Sequence, residues 1–236
     1  MDTITLGSLY LDGQSLQIES AQLCSSSKFT LGDSVPGRTI RWVPVNGALF
    51  CTQNLLTNVS WDTLNELRLI RGAICVIDGF VFRCRVPHGG ISSSDQCEWA
   101  DAMDGGKKLF RWADAYSWCQ EDSASYPGCK VCRGYGYPYE FYQACSSMKD
   151  QQIGWRPVLE PIGFDVRAAS VPGCELIVWE PDRCTKGVLR EITEYDLILD
   201  RAENQSPSLD TTVIIERANI QCVQIGDMTP PCKRVK

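Results

Sequence analysis

Alternation of apolar and polar residues predicts short β-strands in the first part of the chain. The pattern runs over residues 4–11 and stops at Asp12-Gly13, a pair typical of tight turns. It recurs over residues 39–45. A third run covers residues 73–85, where Asp78-Gly79 divides it into the two arms of a β-hairpin.

A helical period is found in three segments of the middle of the chain. Ser60 is a suitable N-cap for a helix over residues 60–67, and a second helix is predicted over residues 97–103. A third is predicted over residues 110–121, where apolar residues recur at i, i+3, i+4 and i+7. Those positions are Trp112, Ala115, Tyr116 and Cys119.

Beyond the middle of the chain the pattern consists of strands alone. Residues 153–160 form an apolar strand, and five further short runs follow at the spacing typical of a small β-barrel. These runs cover residues 175–179, 187–192, 196–200, 212–216 and 220–225. Helices in the first part and strands throughout predict the α+β fold class.

The composition is that of a folded protein without a basic surface. Of 236 residues, 44% are hydrophobic and 22% charged, and the net charge is −6. This acidity argues against a nucleic-acid or anionic-membrane partner, and no apolar run is long enough to span a bilayer. Thirteen irregularly spaced cysteines behind an N-terminus without a secretory signal predict reduced thiols in a protein made in the cytoplasm.

Several short motifs occur in the order found in C-type-lectin-like proteins of phages and prophages, a fold also used by formylglycine-generating enzymes. They are Ser60-Trp61-Asp62-Thr63-Leu64, residues 77–83, Glu98-Trp99, residues 112–119, Arg133-Gly134 and residues 154–160. The resemblance covers residues 38–161 and implies a lectin-like framework. The residues expected to support that framework are Trp99, Trp112, Trp118, Arg133, Gly134, Gly154, Trp155 and Arg156.

The five C-terminal strands are similar in order to an Sm-like small barrel. This likeness implies a structural or oligomerising module, through which the chain would form a homo-oligomer. The expected organisation is a β-rich N-terminal segment, a C-type-lectin-like domain, a five-stranded β-barrel and a flexible tail. These parts cover residues 1–37, 38–161, 172–228 and 229–236.

Residues 133–152 are irregular and rich in tyrosine, and in the phage proteins this place holds a variable ligand-contacting loop. Tyrosine offers a large contact area with two rotatable side-chain bonds and a polar tip. If the segment is extended, residues 135, 137, 139 and 141 project to one side, toward either a ligand or the core. The expected ligand-binding residues are Tyr135, Tyr137, Tyr139, Glu140, Tyr142 and Gln143.

The function expected from these features is non-catalytic binding of a protein or glycan by a phage- or prophage-encoded protein, without a cofactor. Such a protein would be made in the cytoplasm of the bacterial host and could be carried on the virion. One alternative is an intracellular inhibitor of a bacterial defence enzyme, which reduced cysteines and acidity also fit.

The cysteines suggest further chemistry, which we weigh against simple packing. Cys129 and Cys132 form a CxxC motif, but a zinc site needs four ligands and the chain has no second CxxC. A copper-dependent cysteine oxidase of the formylglycine-generating type would have to use Cys129, Cys132 or Cys145, whose spacing does not reproduce that family's motif. His88, the only histidine, lies in a glycine-rich loop. We therefore expect no metal site.

Overall fold

β-Strands are the main secondary structure of the computed structural model, which describes residues 3–18, 22–24, 28–111, 115–163, 172–181, 183–203 and 212–225. In chain order the strands are β1 (Ile4–Leu11), β2 (Gln14–Ser15), β3 (Gln22–Leu23), β4 (Phe29–Gly32), β5 (Thr39–Val45), β6 (Ala48–Cys51), β7 (Leu56–Thr57), β8 (Ala73–Ile77), β9 (Phe80–Arg85), β10 (Tyr116–Asp122), β11 (Cys129–Arg133), β12 (Phe141–Cys145), β13 (Ile153–Trp155), β14 (Val158–Pro161), β15 (Glu175–Glu180), β16 (Arg183–Ile192), β17 (Asp196–Glu203), β18 (Val213–Glu216) and β19 (Cys222–Ile225). The helices are α1 (Trp61–Glu66) and α2 (Glu98–Gly106), with 3₁₀ turns at Lys107–Leu109 and Arg217–Asn219.

This content contradicts the predicted α+β class, because the described chain is mainly β. The largest error concerns residues 110–121. Of this predicted helix, residues 112–114 lie outside the described residues, while Tyr116–Asp122 is the strand β10. β10 lies between two other strands and is buried on both faces over residues 117–120, so its apolar residues show no period of two. The i, i+3, i+4, i+7 spacing was therefore not a helical face.

Several local predictions are confirmed. The Ser60 hydroxyl accepts a hydrogen bond from Thr63 N at 3.2 Å and caps α1, and α2 begins at Glu98. β8 and β9 form the predicted hairpin, with a two-residue turn between the paired residues Ile77 and Phe80. Asp78 in that turn has a φ of 52°, as a type I′ turn requires. Among the described residues, no helix has the length and apolarity needed to cross a membrane.

Two sheets hold the first 161 residues. The larger has the order β2-β1-β5-β6-β14-β9-β8, with β4 also paired to β1, and the smaller has the order β12-β11-β10-β13-β7-β3. Of the described strands in the predicted N-terminal segment, β1, β2 and β4 therefore belong to the same sheet as β5 and β6, and β3 belongs to the smaller sheet. The predicted single strand over residues 153–160 is divided into β13 and β14, which belong to different sheets, because the chain crosses from one to the other at Arg156-Pro157.

The smaller sheet separates two hydrophobic cores. Trp118 and Cys132, on β10 and β11, belong to the larger core cluster. Their sequence neighbours Cys119 and Val131 belong to the second cluster, together with Trp99 of α2. Since successive residues of a strand point to opposite faces, both faces of this sheet are covered around β10 and β11. β12, the last strand in the described order of this sheet, therefore pairs with a strand that is covered on both faces.

The five predicted C-terminal strands are all present, as β15 to β19. They are antiparallel in the order β18-β17-β16-β15-β19. No ladder between β18 and β19 occurs among the residues that the structure describes. Trp179 of this sheet packs edge-on against Phe82 of β9 with ring centroids 5.9 Å apart. The predicted tail, residues 229–236, lies outside the described residues.

Candidate ligand-binding surface

The tyrosine-rich segment is a tight turn followed by an edge strand, and not an extended run. Gly134 has a φ of 79° and its N–H donates to Glu140 O at 3.1 Å, which reverses the chain after β11. The Glu140 carboxylate accepts the Gly136 N–H at 2.9 Å within the same turn. β12 then pairs with β11, placing Tyr142 opposite Cys132. The expectation that residues 135, 137, 139 and 141 share one side is therefore wrong.

Three tyrosine rings form a stack, which we call the tyrosine column: Tyr135, Tyr116 and Tyr142. Tyr116 lies in the middle, with its ring centroid 5.0 Å from each of the other two and interplanar angles of 30° and 24°. Such separations fall within the range of favourable aromatic pairing. Tyr142, on the edge strand, is 41% exposed, while Tyr116 and Tyr135 are half-buried. One end of the column therefore faces solvent.

Local contacts fix the column before any ligand arrives. The Tyr135 backbone has a φ of 147°, which is unusual for a residue with a side chain, and its hydroxyl accepts a hydrogen bond from Gln152 Nε2 at 3.0 Å. Desolvation, followed by the negative charge of Glu140, raises the pKa of the Tyr116 hydroxyl. The Tyr116 phenol therefore stays neutral at physiological pH and can both donate and accept hydrogen bonds.

The remaining tyrosines of the turn are directed elsewhere. Tyr139 reaches α2, where its hydroxyl donates to Asp104 Oδ1 at 2.7 Å, and this bond raises the pKa of Tyr139. Trp99 of the same helix donates its indole N–H to Pro138 O at 2.7 Å. Tyr137, which directly precedes these two anchored residues, is 55% exposed. The turn is thus tied to α2 on one side and presents Tyr137 to solvent.

Four of the six expected ligand-binding residues have internal side-chain hydrogen bonds, and those of Tyr135 and Tyr139 are given above. Glu140 closes the turn, as described above, and the Gln143 side chain accepts a hydrogen bond from Ser123 Oγ at 2.6 Å. Tyr116 was not predicted as part of this surface from the sequence, because it was assigned to a helix. Gln152 was not predicted either, because its contact with Tyr135 spans 17 residues and leaves no local signal.

The residues expected to support the framework are deeply buried wherever the structure describes them. Trp118 donates its indole N–H to Val59 O at 2.8 Å. A side chain at Gly154 would come within 2.4 Å of the Leu56 carbonyl, so β13 can approach β7 only with glycine there. The buried residues are Trp99, Trp118, Arg133, Gly134, Gly154, Trp155 and Arg156. Trp112 lies outside the described residues.

The two buried arginines serve the framework through backbone carbonyls. Arg133 donates from Nε to Gly89 O at 2.7 Å and from Nη2 to Ser92 O at 2.7 Å, which holds the loop before α2 against β11. Arg156, at the crossing between the two sheets, donates from Nη1 to Cys51 O at 3.2 Å. Burial lowers the pKa of Arg156 to about 10. Neither guanidinium is available to an external ligand.

The only histidine is paired with a carboxylate. His88 Nδ1 lies 3.0 Å from Glu121 Oε1, and Glu121 Oε2 accepts the Gly89 N–H at 2.9 Å. Burial alone would raise the pKa of Glu121, but these hydrogen bonds hold it below its ordinary value. The nearby Cys119 thiol is fully buried, and desolvation raises its pKa well above the usual range. A buried thiol of this kind is a poor nucleophile.

The CxxC motif does not converge on one point. Cys129 and Cys132 are three residues apart on β11, so their side chains leave opposite faces of the strand. Cys132 is buried in the core, while Cys129 faces Cys145 across the ladder to β12. Within the described ranges, no group of three or more histidine, cysteine, aspartate or glutamate side chains is placed to hold a metal ion.

Comparison of the chain with protein-family models, with curated proteins and with solved structures finds no match.

Proposed function

We propose that this chain is a non-catalytic binding protein, which holds a protein or glycan ligand against the exposed end of the tyrosine column and against Tyr137. The observation that carries the proposal is the stacking of Tyr142 on Tyr116. An exposed aromatic ring normally loses side-chain freedom when it is bound. The ring of Tyr142 is already held at 5.0 Å from its neighbour, so this entropy cost is reduced.

The surroundings of the column support recognition of a polar ligand. Tyr142 lies on the last strand of its sheet, where no further strand among the described residues would stand in the way of a ligand. Phenol hydroxyls supply hydrogen bonds at the rim of an aromatic contact, which is the usual arrangement of recognition surfaces rich in tyrosine. The turn itself is fixed by the Glu140 and Asp104 contacts, so the surface needs little rearrangement on binding.

The resemblance to phage and prophage C-type-lectin-like proteins supports the same function. Residues 133–152 occupy the place of the variable ligand-contacting loop in those proteins, between the Arg133-Gly134 turn and the segment that begins at Gly154. On this proposal the protein is encoded by a phage or prophage, is made in the bacterial cytoplasm, and recognises its ligand at the virion surface.

The proposal is tested with the variants Tyr142→Ala and Tyr137→Ala. The fluorescently labelled full chain is applied to an oligosaccharide array and to intact cells of a panel of bacterial strains. We expect Tyr142→Ala to lower the apparent affinity for the bound probe about tenfold or more, as is typical of a central aromatic contact. Tyr137→Ala is expected to have a smaller effect, because no ring contact supports Tyr137 among the described residues.

Tyr195→Ala is the matched control. Tyr195 is 72% exposed and lies in the C-terminal sheet region, between β16 and β17, so its loss removes the same group from a different surface. Its binding should equal that of the unmodified chain. Circular dichroism and thermal unfolding establish that each variant is folded. Equal binding by folded Tyr142→Ala, or binding of the unmodified chain to none of these probes, would refute the proposal.

A further inference from the structure

Cys129 and Cys145 lie directly opposite each other on β11 and β12. The Cys129 N–H donates to Tyr126 O at 3.1 Å, and the Cys129 carbonyl accepts the Ser123 N–H at 2.9 Å. Both backbone groups of Cys129 are therefore used away from β12. In an antiparallel ladder this identifies a pair of facing residues that exchange no hydrogen bonds with each other.

The flanking pair supports this geometry. Ser146 N–H donates to Gly128 O at 3.1 Å, so the hydrogen-bonded position is one step beyond the cysteines. Because the two kinds of pair alternate, the cysteines occupy the closer kind, in which facing Cα atoms are about 4.5 Å apart. This separation falls inside the window of about 4.4–6.8 Å that a disulfide requires. The two thiols can therefore be joined without a change of register.

Both thiols can be reached from solvent. Cys145 is exposed on the edge strand, and Cys129 is half-buried behind it. Desolvation and the neighbouring Cys145 thiol raise the pKa of Cys129, which indicates direct interaction between the two sulfur atoms. Cys132 is buried on the opposite face of β11 and cannot compete as a partner.

We propose that Cys129 and Cys145 form a thiol–disulfide exchange site, whose co-reactant is a low-molecular-weight disulfide such as oxidised glutathione. The Cys145 thiolate attacks one sulfur of the co-reactant, which breaks its S–S bond and releases one thiol. The Cys129 thiolate then attacks the Cys145 sulfur of the mixed disulfide and releases the second thiol. The protein loses two electrons to the co-reactant, and its two thiol protons are carried away on the released thiols.

This site goes beyond the proposed ligand contact and is independent of it. Tyr142 and Cys145 are three residues apart on β12, so their side chains leave opposite faces of the strand. The disulfide would join β12 covalently to β11 on the face away from the tyrosine column. It would thereby prevent separation of the edge strand from its sheet without covering the column.

The test is to incubate the full-length reduced chain with oxidised glutathione, block free thiols by alkylation, and map the tryptic peptides by mass spectrometry. Cleavage after Lys130 and Arg133 places Cys129 and Cys145 on different peptides. We expect a linked pair of these peptides, with the mass of two hydrogen atoms lost. The link should disappear when dithiothreitol is added before alkylation.

Three variants make the result specific. In Cys129→Ser the glutathione adduct should persist on Cys145, because the resolving thiol is gone, and in Cys145→Ser the linked pair should be absent. Cys132→Ala should form the link as the unmodified chain does. A link between Cys129 and Cys132, a persistent adduct on Cys145 in the unmodified chain, or the absence of any reaction at Cys145 in the folded protein would overturn the proposal.

Discussion

Two hairpins, β8–β9 and β11–β12, place a strand at the end of a sheet, and each contains a pair of cysteines. They differ in register. Cys145 faces Cys129 directly, whereas Cys75 faces Phe82 and lies diagonal to Cys84. Diagonal residues of a ladder are about 7–8 Å apart, which allows contact between side chains but is too far for an unstrained disulfide. A difference of two residues in register thus separates the directly facing pair from the diagonal pair.

The two pairs of cysteines also differ in the solvent accessibility of their thiols. Cys84 is buried, and its hydrogen bond with Cys75, together with desolvation, raises its pKa well above the usual range. The same hydrogen bond lowers the pKa of Cys75. Cys145, by contrast, lies exposed on its edge strand. Cysteines in the same kind of secondary structure therefore differ in chemistry because of their position.

The outer surfaces of the two hairpins also differ. β8–β9 exposes the aliphatic side chains Ile74, Val76 and Val81. β11–β12 exposes Tyr137 and Tyr142, whose hydroxyls can satisfy a polar partner. Aromatic groups with polar tips suit a contact that forms and dissociates in water, whereas an aliphatic patch has no directional groups. This contrast is the reason for placing the ligand on β11–β12.

The largest expected effect is a loss of stability when Phe82 in β9 is replaced. Phe82 is fully buried and packs on Trp179, so Phe82→Ala should lower the free energy of unfolding by about 3–5 kcal/mol. The neighbouring Val81 points outward, and Val81→Ala should change the free energy of unfolding by no more than about 0.5 kcal/mol. Urea unfolding followed by tryptophan fluorescence measures both. Similar losses for the two variants would contradict the assigned faces of β9.

The second expected effect is a difference in alkylation rate between the two cysteine pairs. In the folded chain Cys145 should react with iodoacetamide faster than Cys84 by a factor on the order of a hundred, because Cys84 must first be exposed by local opening. Quenched time points and peptide mass spectrometry give both rates from one sample. In urea, where the chain is unfolded, the two rates should become similar.

A smaller effect is expected for the pH dependence of Cys129. The Cys145 thiol contributes to the raised pKa of Cys129, so Cys145→Ser should lower that pKa toward its ordinary value. More thiolate is then present at a given mildly alkaline pH, and alkylation of Cys129 should be about threefold faster. A full pH–rate profile should move to lower pH. Cys174→Ser, which changes a half-buried cysteine of the C-terminal region, should leave the profile unchanged.

The smallest expected effect is that of Val76→Ser on ligand binding. Val76 is exposed on β8, away from the tyrosine column, so binding to cells or oligosaccharides should stay the same. Loss of binding in this variant, with binding retained in Tyr142→Ala, would move the ligand surface to β8–β9. The two variants together therefore decide which hairpin makes the contact.

Local features of the fold could be predicted from the sequence because their causes are local. The turn at Asp78-Gly79 and the Ser60 cap depend on a few adjacent residues. β10 could not be predicted in this way. It is buried on both faces by long-range pairing, and burial on both faces removes the alternation that marks a strand.

The candidate site was only partly predictable for the same reason. Its tyrosine content marked residues 133–152, but the direction of each ring depends on the turn at Gly134 and on the register of β12. Tyr116 belongs to β10 and precedes Tyr135, its partner in the column, by 19 residues in the chain. A contact of that kind depends on sheet pairing, which no short stretch of sequence specifies.

The position of β14 has a mechanical consequence. The strand is hydrogen-bonded on both sides, to β6 and to β9, and the chain leaves it toward the C-terminal sheet. If the C-terminal sheet were pulled away, its contacts with the larger sheet would have to separate, among them the packing of Trp179 on Phe82 and the hydrogen bond from Gln224 Nε2 to Val81 O. The load would then fall along β14, where all the bonds of both ladders are strained together and none can be opened singly. The strand that follows the crossing at Arg156-Pro157 would thus act as the anchor of the chain under tension.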